Sequence, residues 1–234
     1  MFGRKDNKKR LLDSKRKLVT KYNPKSPISE QYRTIRTNIL YSSIDEEIRS
    51  LMVTSSGPGE GKSTTTANLA VVFAQQGKTV LLVDADLRKP TVHYTFKLTN
   101  TTGLTSVLTN QIDLLEAVNK TDEDNLYVLT SGPIPPNPSE LLGSKSMEKF
   151  MKKVLEEFDL VIFDTPPVLA VTDAQILGNI CQGSIVVVSS GKTEKESVLK
   201  TKELLLATNV SVLGVVLNNK KSDKNSNYYY YGTN

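Results

Sequence analysis

Residues 50–66 read Ser50-Leu51-Met52-Val53-Thr54-Ser55-Ser56-Gly57-Pro58-Gly59-Glu60-Gly61-Lys62-Ser63-Thr64-Thr65-Thr66. An apolar run with strand character stops at the alternating glycines 57, 59 and 61, and a helical pattern opens at Lys62. Glycine lets a backbone approach an anion closely. In such a loop, backbone N–H groups and the helix start cradle phosphates, a Lys reaches the β/γ oxygens and a Ser hydroxyl holds Mg²⁺. Ser56 stands where a full Walker A pattern has its first Gly. Gly-Lys-Ser alone is a weak signal, and the strand before it and the helix after it decide the reading. The residues so assigned to nucleotide binding are Ser56, Gly57, Pro58, Gly59, Glu60, Gly61, Lys62, Ser63 and Thr64.

The pattern continues on both sides. Upstream, Pro24 and Pro27 punctuate a linker, and Ile28, Tyr32, Ile35 and Ile39 recur at helical spacing, which predicts an amphipathic helix over 28–42. Downstream, apolar runs alternate with helical patterns. Strands are predicted at 50–55, 79–83, 126–129, 160–163, 184–189 and 211–217, and helices at 62–76, 103–109, 113–119, 139–157 and 194–207. The strand runs are continuous in Val, Ile and Leu, which marks strands covered on both faces. Strand–helix–strand order with that patterning means an α/β fold: a mostly parallel sheet flanked by helices on both faces, joined by right-handed crossovers. With the loop, this is the P-loop NTPase class.

Two strand ends add carboxylates. Leu81-Leu82-Val83-Asp84-Ala85-Asp86 places two aspartates at i and i+2, on one side if the chain stays extended. Val161-Ile162-Phe163-Asp164 adds a third, before Thr165-Pro166-Pro167. Ligands of open parallel sheets bind beyond the carboxyl ends of the strands, where all three converge with the loop. Three acids repel unless a cation joins them, and Mg²⁺ on phosphates is the natural one. Capping of the following segment is the plainer role open to any one of them.

Composition bounds the rest. The 234 residues carry a net charge of +5, one cysteine and no tryptophan. Cys181 alone cannot form an intramolecular disulfide and fits a reducing compartment, as a buried small residue. No apolar run approaches the ~18 residues of a membrane span, and the charged N-terminus predicts no signal peptide. Residues 1–21 hold nine Lys/Arg against Asp6 and Asp13, a net of +7. Residues 218–234 hold three Lys against Asp223, a net of +2, so the body between is at −4. A basic nucleic-acid groove within the body loses support, and no nucleic-acid partner is expected. A basic arm beside an anionic leaflet gains some, at roughly 1 kcal/mol per well-placed Lys or Arg. The expected organisation is a flexible arm and linker over 1–27, a folded body over 28–217 and a tail over 218–234.

The deviant Walker A loop, Leu-Leu-Val-Asp84-Ala-Asp86-Leu-Arg-Lys-Pro and Val-Ile-Phe-Asp164-Thr-Pro-Pro together resemble the bacterial tyrosine kinases, P-loop proteins that regulate capsule and exopolysaccharide production. The resemblance spans nearly all of 28–234. It implies an ATP-dependent protein-tyrosine kinase in which Lys62 binds the β/γ-phosphates and Ser63 and Asp164 organise Mg²⁺. Asp86 would assist the metal through water, and Asp84 would orient or deprotonate the attacking tyrosine hydroxyl. Arg88 and Lys89 would stabilise phosphate charge, or simply be surface bases. Glu30, Arg33 and Arg36 resemble the family's oligomerisation motif. At 100° per residue they lie away from the Ile28/Tyr32/Ile35/Ile39 stripe, free to meet another subunit of a homo-oligomeric ring, an octamer by the resemblance. The short form implies activation by a separate membrane-anchored protein. The chain would then sit in the cytoplasm at the inner face of the membrane, with sugar-nucleotide dehydrogenases or glycosyltransferases as protein substrates.

Four of the nine tyrosines are consecutive, Tyr228, Tyr229, Tyr230 and Tyr231. A core does not place aromatics so, and the resemblance makes them the phosphoacceptors. From Leu217, fourteen extended residues span up to roughly 45–50 Å, enough to enter a neighbouring active site. Four phosphates, at about −1.5 to −2 each, would overturn the +5. His93 has no second His for a metal or a triad and reads as structural. Two other functions compete: a deviant-Walker positioning ATPase cycling on membrane or DNA, and a non-catalytic, nucleotide-gated partner of an export complex. The first usually carries a lysine at the second loop position, here Gly57.

Overall fold

The apolar runs form a seven-stranded sheet in the computed structural model, which describes residues 18–42 and 47–220. The strands are β1 (Ser50–Ser55), β2 (Val80–Asp84), β3 (Asn119–Lys120), β4 (Leu126–Leu129), β5 (Leu160–Asp164), β6 (Gly183–Ser189) and β7 (Ser211–Asn218). Their spatial order is β3-β4-β2-β5-β1-β6-β7, parallel except for the β3–β4 pair. The chain leaves β1, crosses to β2 and later inserts β5 between them. The order therefore reverses around β1, the kind of switch point at which open sheets bind ligands. Register sets Asp84 of β2 opposite Asp164 of β5.

The described residues hold ten helices: α1 (Val19–Tyr22), α2 (Pro27–Leu40), α3 (Lys62–Ala74), α4 (Val92–Phe96), α5 (Leu104–Leu108), α6 (Leu114–Ala117), α7 (Pro138–Leu142), α8 (Lys145–Glu157), α9 (Asp173–Gly178) and α10 (Lys195–Leu206). Strand side chains alternate between two cores. Leu51, Val53, Leu82, Ile162 and Val187 share one core with α3; Met52, Leu81, Val83, Val161 and Phe163 share the other with α8. Both faces are covered, which is why the strands read as unbroken apolar runs. Helix α3 is buried from Thr65 to Ala74, with the sheet on one side and α1 and α2 on the other. Truncating its Phe73, 1% exposed, to Ala should cost ~3–5 kcal/mol.

The structure corrects the expected organisation in several places. The expected helix over 139–157 is two, α7 and α8, because Ser144 caps α8 by accepting from the Met147 N–H at 3.3 Å. The expected helix over 113–119 stops at Ala117, and β3 follows it. Helices α1, α4 and α9, of four to six residues, are too short to show a period. Finally, the flexible segment expected to reach residue 27 includes α1, which docks on α3. Thr20 is fully buried, its N–H and hydroxyl donating to Asn68 Oδ1 at 3.1 and 2.8 Å. The other boundary shifts by a residue: Asn218, assigned to the tail, ends β7. Residues 1–17 and 221–234, including Tyr228, Tyr229, Tyr230 and Tyr231, lie outside the described residues.

Helix α2 starts on Ser26, which accepts from the Ser29 N–H, with Pro27 pre-set at its first position. Its inward stripe includes Ser29, Tyr32, Ile35 and Ile39, whereas Ile28, expected there, is 53% exposed. Arg33 pairs with Glu30 and donates to the Pro24 carbonyl at 2.8 Å. Arg36 departs from the expectation that all three face away from the body: its guanidinium donates to the Val72 carbonyl of α3 at 2.8 Å. Position 36 sits on the flank of the stripe, and a long side chain reaches back from there.

Candidate active site

The loop between β1 and α3 depends on two left-handed glycines, Gly59 at φ +77° and Gly61 at φ +97°. A Cβ on Gly61 would also stand 2.1 Å from Asn218 Nδ2. Gly61 occupies the N-cap of α3 without a capping side chain, so first-turn N–H groups remain for an anion. Pro58 and Gly59 form the exposed tip, and Thr64 lies in the first turn of the helix. A cavity of about 350 Å³ adjoins the loop, walled by Gly57, Pro58, Leu169, Ala170 and Lys192.

Lys62 and the carboxylates converge as expected. Lys62 Nζ lies 3.0 Å from Asp86 Oδ2, 3.4 Å from Asp164 Oδ1 and 3.2 Å from Ser63 Oγ. In this state the lysine itself is the cation that joins the acids. Burial works against its charge, but Asp164 and Asp86 outweigh burial and raise its pKa. Asp164 is fully buried, and desolvation raises its pKa despite the Lys62 charge. Its Oδ2 is a buried acceptor without a hydrogen-bond partner.

Asp84 is placed differently. It is fully buried, Oδ2 accepting from the Thr91 and Val92 N–H groups at 2.9 Å and Oδ1 from the Asp86 N–H at 3.3 Å. It thus ties down the start of α4 while facing Asp164 in register. Burial first, and the Asp164 charge second, push its pKa up to about 7. Asp86 accepts from the Lys89 N–H at 3.0 Å with its other oxygen.

Several partners have no local signal in the sequence. Thr66 Oγ1 lies 3.3 Å from Asp164 Oδ1, and its spacing from Lys62 by one helical turn was the only available hint. Arg88 is committed to Asp173: Nε and Nη2 donate to its two oxygens at 2.8 and 2.9 Å, and Ser139 Oγ donates to the same carboxylate at 2.6 Å. Burial opposes the Asp173 charge, and these bonds win, lowering its pKa. Arg88 therefore braces the segments after β2 and β5, and it is not a loose surface base. Cys181 is buried as expected, its thiol pushed up to about 12 by desolvation. The His93 and Tyr94 rings meet tilted at 41°, with centroids 3.9 Å apart.

A family model described as an AAA domain matches residues 48–205. The tyrosine-protein kinase YwqD of Bacillus subtilis is 60% identical over 218 residues, covering 93% of this chain and 92% of its own length. The chain belongs to the bacterial tyrosine kinases. The putative tyrosine-protein kinase CapB of Staphylococcus aureus is 45% identical, covering 89% of this chain and 91% of its own. The crystal structure of the chimerical protein CapA2B2 superposes with a TM-score of 0.85 at 47% identity, over 88% of this chain and 90% of that one. The family places the fold among P-loop NTPases and the function among the tyrosine kinases of capsule and extracellular polysaccharide synthesis. Among the described residues no helix of this kinase is long and apolar enough to cross a membrane.

Proposed function

We infer that this kinase transfers the γ-phosphoryl group of ATP to tyrosines of its own C-terminal cluster, in trans within a homo-oligomer. The observation that carries the reading is the meeting of Lys62, Asp86 and Asp164 at the mouth of the loop, within 3.0–3.4 Å. The site fits ATP and Mg²⁺. The open helix start and the left-handed glycines suit phosphates, and the orphaned Asp164 oxygen and the Ser63 hydroxyl are hard oxygen ligands. Among the described residues no three His, Cys, Asp or Glu side chains form a metal cluster. A magnesium ion here would take Ser63, with Asp164 direct and Asp86 through water, and phosphate oxygens for the remainder. Bound Mg²⁺ neutralises phosphate charge in a loose transition state.

The chain's own residues do the positioning. Lys62 turns from the carboxylates to the β/γ oxygens, and the loop N–H groups hold the phosphates in line. Asp84 is the proposed acceptor that orients the tyrosine hydroxyl; its carboxylate is fully buried here and held by the Asp86, Thr91 and Val92 N–H groups, so that role requires the start of α4 to move aside. Glu30, Arg33 and Arg36 on α2 are the proposed subunit contact, with Arg36 engaged by its own chain as well. A membrane-anchored activator and polysaccharide-pathway enzymes as further substrates complete the proposal, which places the chain at the inner face of the membrane.

Incubation of the full chain with labelled ATP, probed for phosphotyrosine, tests the reading. Truncation after Lys221 should abolish self-labelling and leave nucleotide binding intact. Retained self-labelling refutes the tail as acceptor. Phosphate release without phosphotyrosine returns the positioning-ATPase reading, and neither product returns the nucleotide-gated partner.

A further inference from the structure

Glu60 is an anion inside a loop built to hold anions. It is only 7% exposed, and no Lys, Arg or His of the described residues pairs with it. Its partners are instead neutral donors from segments far apart in the chain. Oε2 accepts from the Ser56 N–H at 2.9 Å, and Oε1 accepts from the Thr193 hydroxyl at 2.5 Å. Thr193 Oγ1 in turn accepts from the Ser189 N–H at 3.0 Å, which fixes its hydrogen toward Glu60. The Glu60 carbonyl accepts from Asn218 Nδ2 at 2.9 Å, and Thr201 donates to the Ser56 hydroxyl at 3.0 Å. Both carboxylate oxygens are thus occupied by protein groups.

We propose that Glu60 is a positioning residue, holding the phosphate loop in its nucleotide-accepting shape through Ser56 and Thr193. Two physical points lead there. A carboxylate next to Gly61 and Lys62 repels phosphate, so a direct binding role is the wrong sign, whereas bracing needs an acceptor with two oxygens. A loop whose first glycine is replaced by Ser56 also gains from an N–H and a hydroxyl tied to fixed partners. The brace anchors the loop to β1, to the turn after β6 and to the end of β7. Nucleotide affinity then depends on Thr193, which lies 133 positions away and outside the loop motif.

The proposal rests on this loop being the ATP site. The test uses the full chain, with ATP–Mg²⁺ affinity by calorimetry and KM and kcat of phosphotyrosine formation. Glu60→Ala should weaken ATP binding by about tenfold, and Thr193→Val by several-fold. The double variant should be no weaker than Glu60→Ala within about twofold, because both break one brace. Glu60→Gln keeps an acceptor for the Ser56 N–H but turns an amide N–H₂ toward the Thr193 hydroxyl, and should recover only part of the loss, binding ATP between Glu60→Ala and wild type. The losses should appear in KM, with kcat at saturating ATP reduced by less than about threefold. Glu60→Ala binding ATP like wild type overturns the proposal. So do multiplying effects of the two substitutions, or Glu60→Gln as weak as Glu60→Ala. If Glu60→Ala does not fold, Thr193→Val and Glu60→Gln decide. A wild-type chain that fails to bind ATP overturns the site itself, a result distinct from a binding wild type with an indifferent Glu60→Ala.

Discussion

Replacing Lys62 by Met should cost stability as well as activity. The Nζ contacts to Asp86 and Asp164, at 3.0 and 3.4 Å, join side chains that are 12%, 7% and 0% exposed. At an effective dielectric of about 20 each contact is worth about 5 kcal/mol of Coulomb energy. Much of that offsets the desolvation of three charges, and deleting one partner of such a group typically costs ~3–5 kcal/mol. The loss depends on pH with a definite sign. Burial already raises Asp164, and it pushes Asp84 up to about 7; without the ammonium both rise further. A carboxyl raised on folding contributes its full stability below the unfolded value, about 3.9 for Asp, and loses it as the pH climbs through the folded value. Lys62→Met should therefore show a smaller deficit near pH 5 than near pH 8, where it opens to ~3–5 kcal/mol. Urea unfolding in chelator-treated buffer at about pH 5, 6.5 and 8 measures this, and Lys62→Met/Asp164→Asn should regain roughly half of the loss. A deficit near pH 8 under about 1 kcal/mol, or one unchanged with pH, refutes the reasoning.

Gly61→Ala should lower ATP affinity at least about tenfold; adding Asn218→Ala relieves the 2.1 Å contact but not the left-handed strain of ~1–2 kcal/mol, so calorimetry should find no full recovery. Asp173→Ala should destabilise by ~1–2 kcal/mol in denaturant unfolding, discounted for the 39% exposure of Arg88. Because the Asp173 pKa is lowered, its contribution is present above about pH 4 and is lost as the pH falls through the folded value; Asp173→Asn should flatten that part of the stability profile. Asn68→Ala strands the buried Thr20 N–H and hydroxyl, and should cost ~1–3 kcal/mol while exposing α1 to limited proteolysis; an unchanged cleavage rate there counts against the docking.

What the sequence determined by itself was the part written in local pattern. Strand runs, the glycine loop and the carboxylates at strand ends follow from composition and spacing over ten or so residues, because burial on both faces and close approach to an anion each select residue types locally. The parallel sheet then brings Asp84 and Asp164 into register without further instruction. Tertiary structure alone decided who holds whom. Asp84 grips the start of α4, Arg88 is bound to Asp173, Arg36 reaches the Val72 carbonyl, and Glu60 meets Thr193 across 133 positions. Side-chain hydrogen bonds between distant segments leave no period in a sequence, since their donors and acceptors meet only after the sheet has ordered its strands. The loop that opened the reading names the phosphate site; the segments folded around it give that loop its shape.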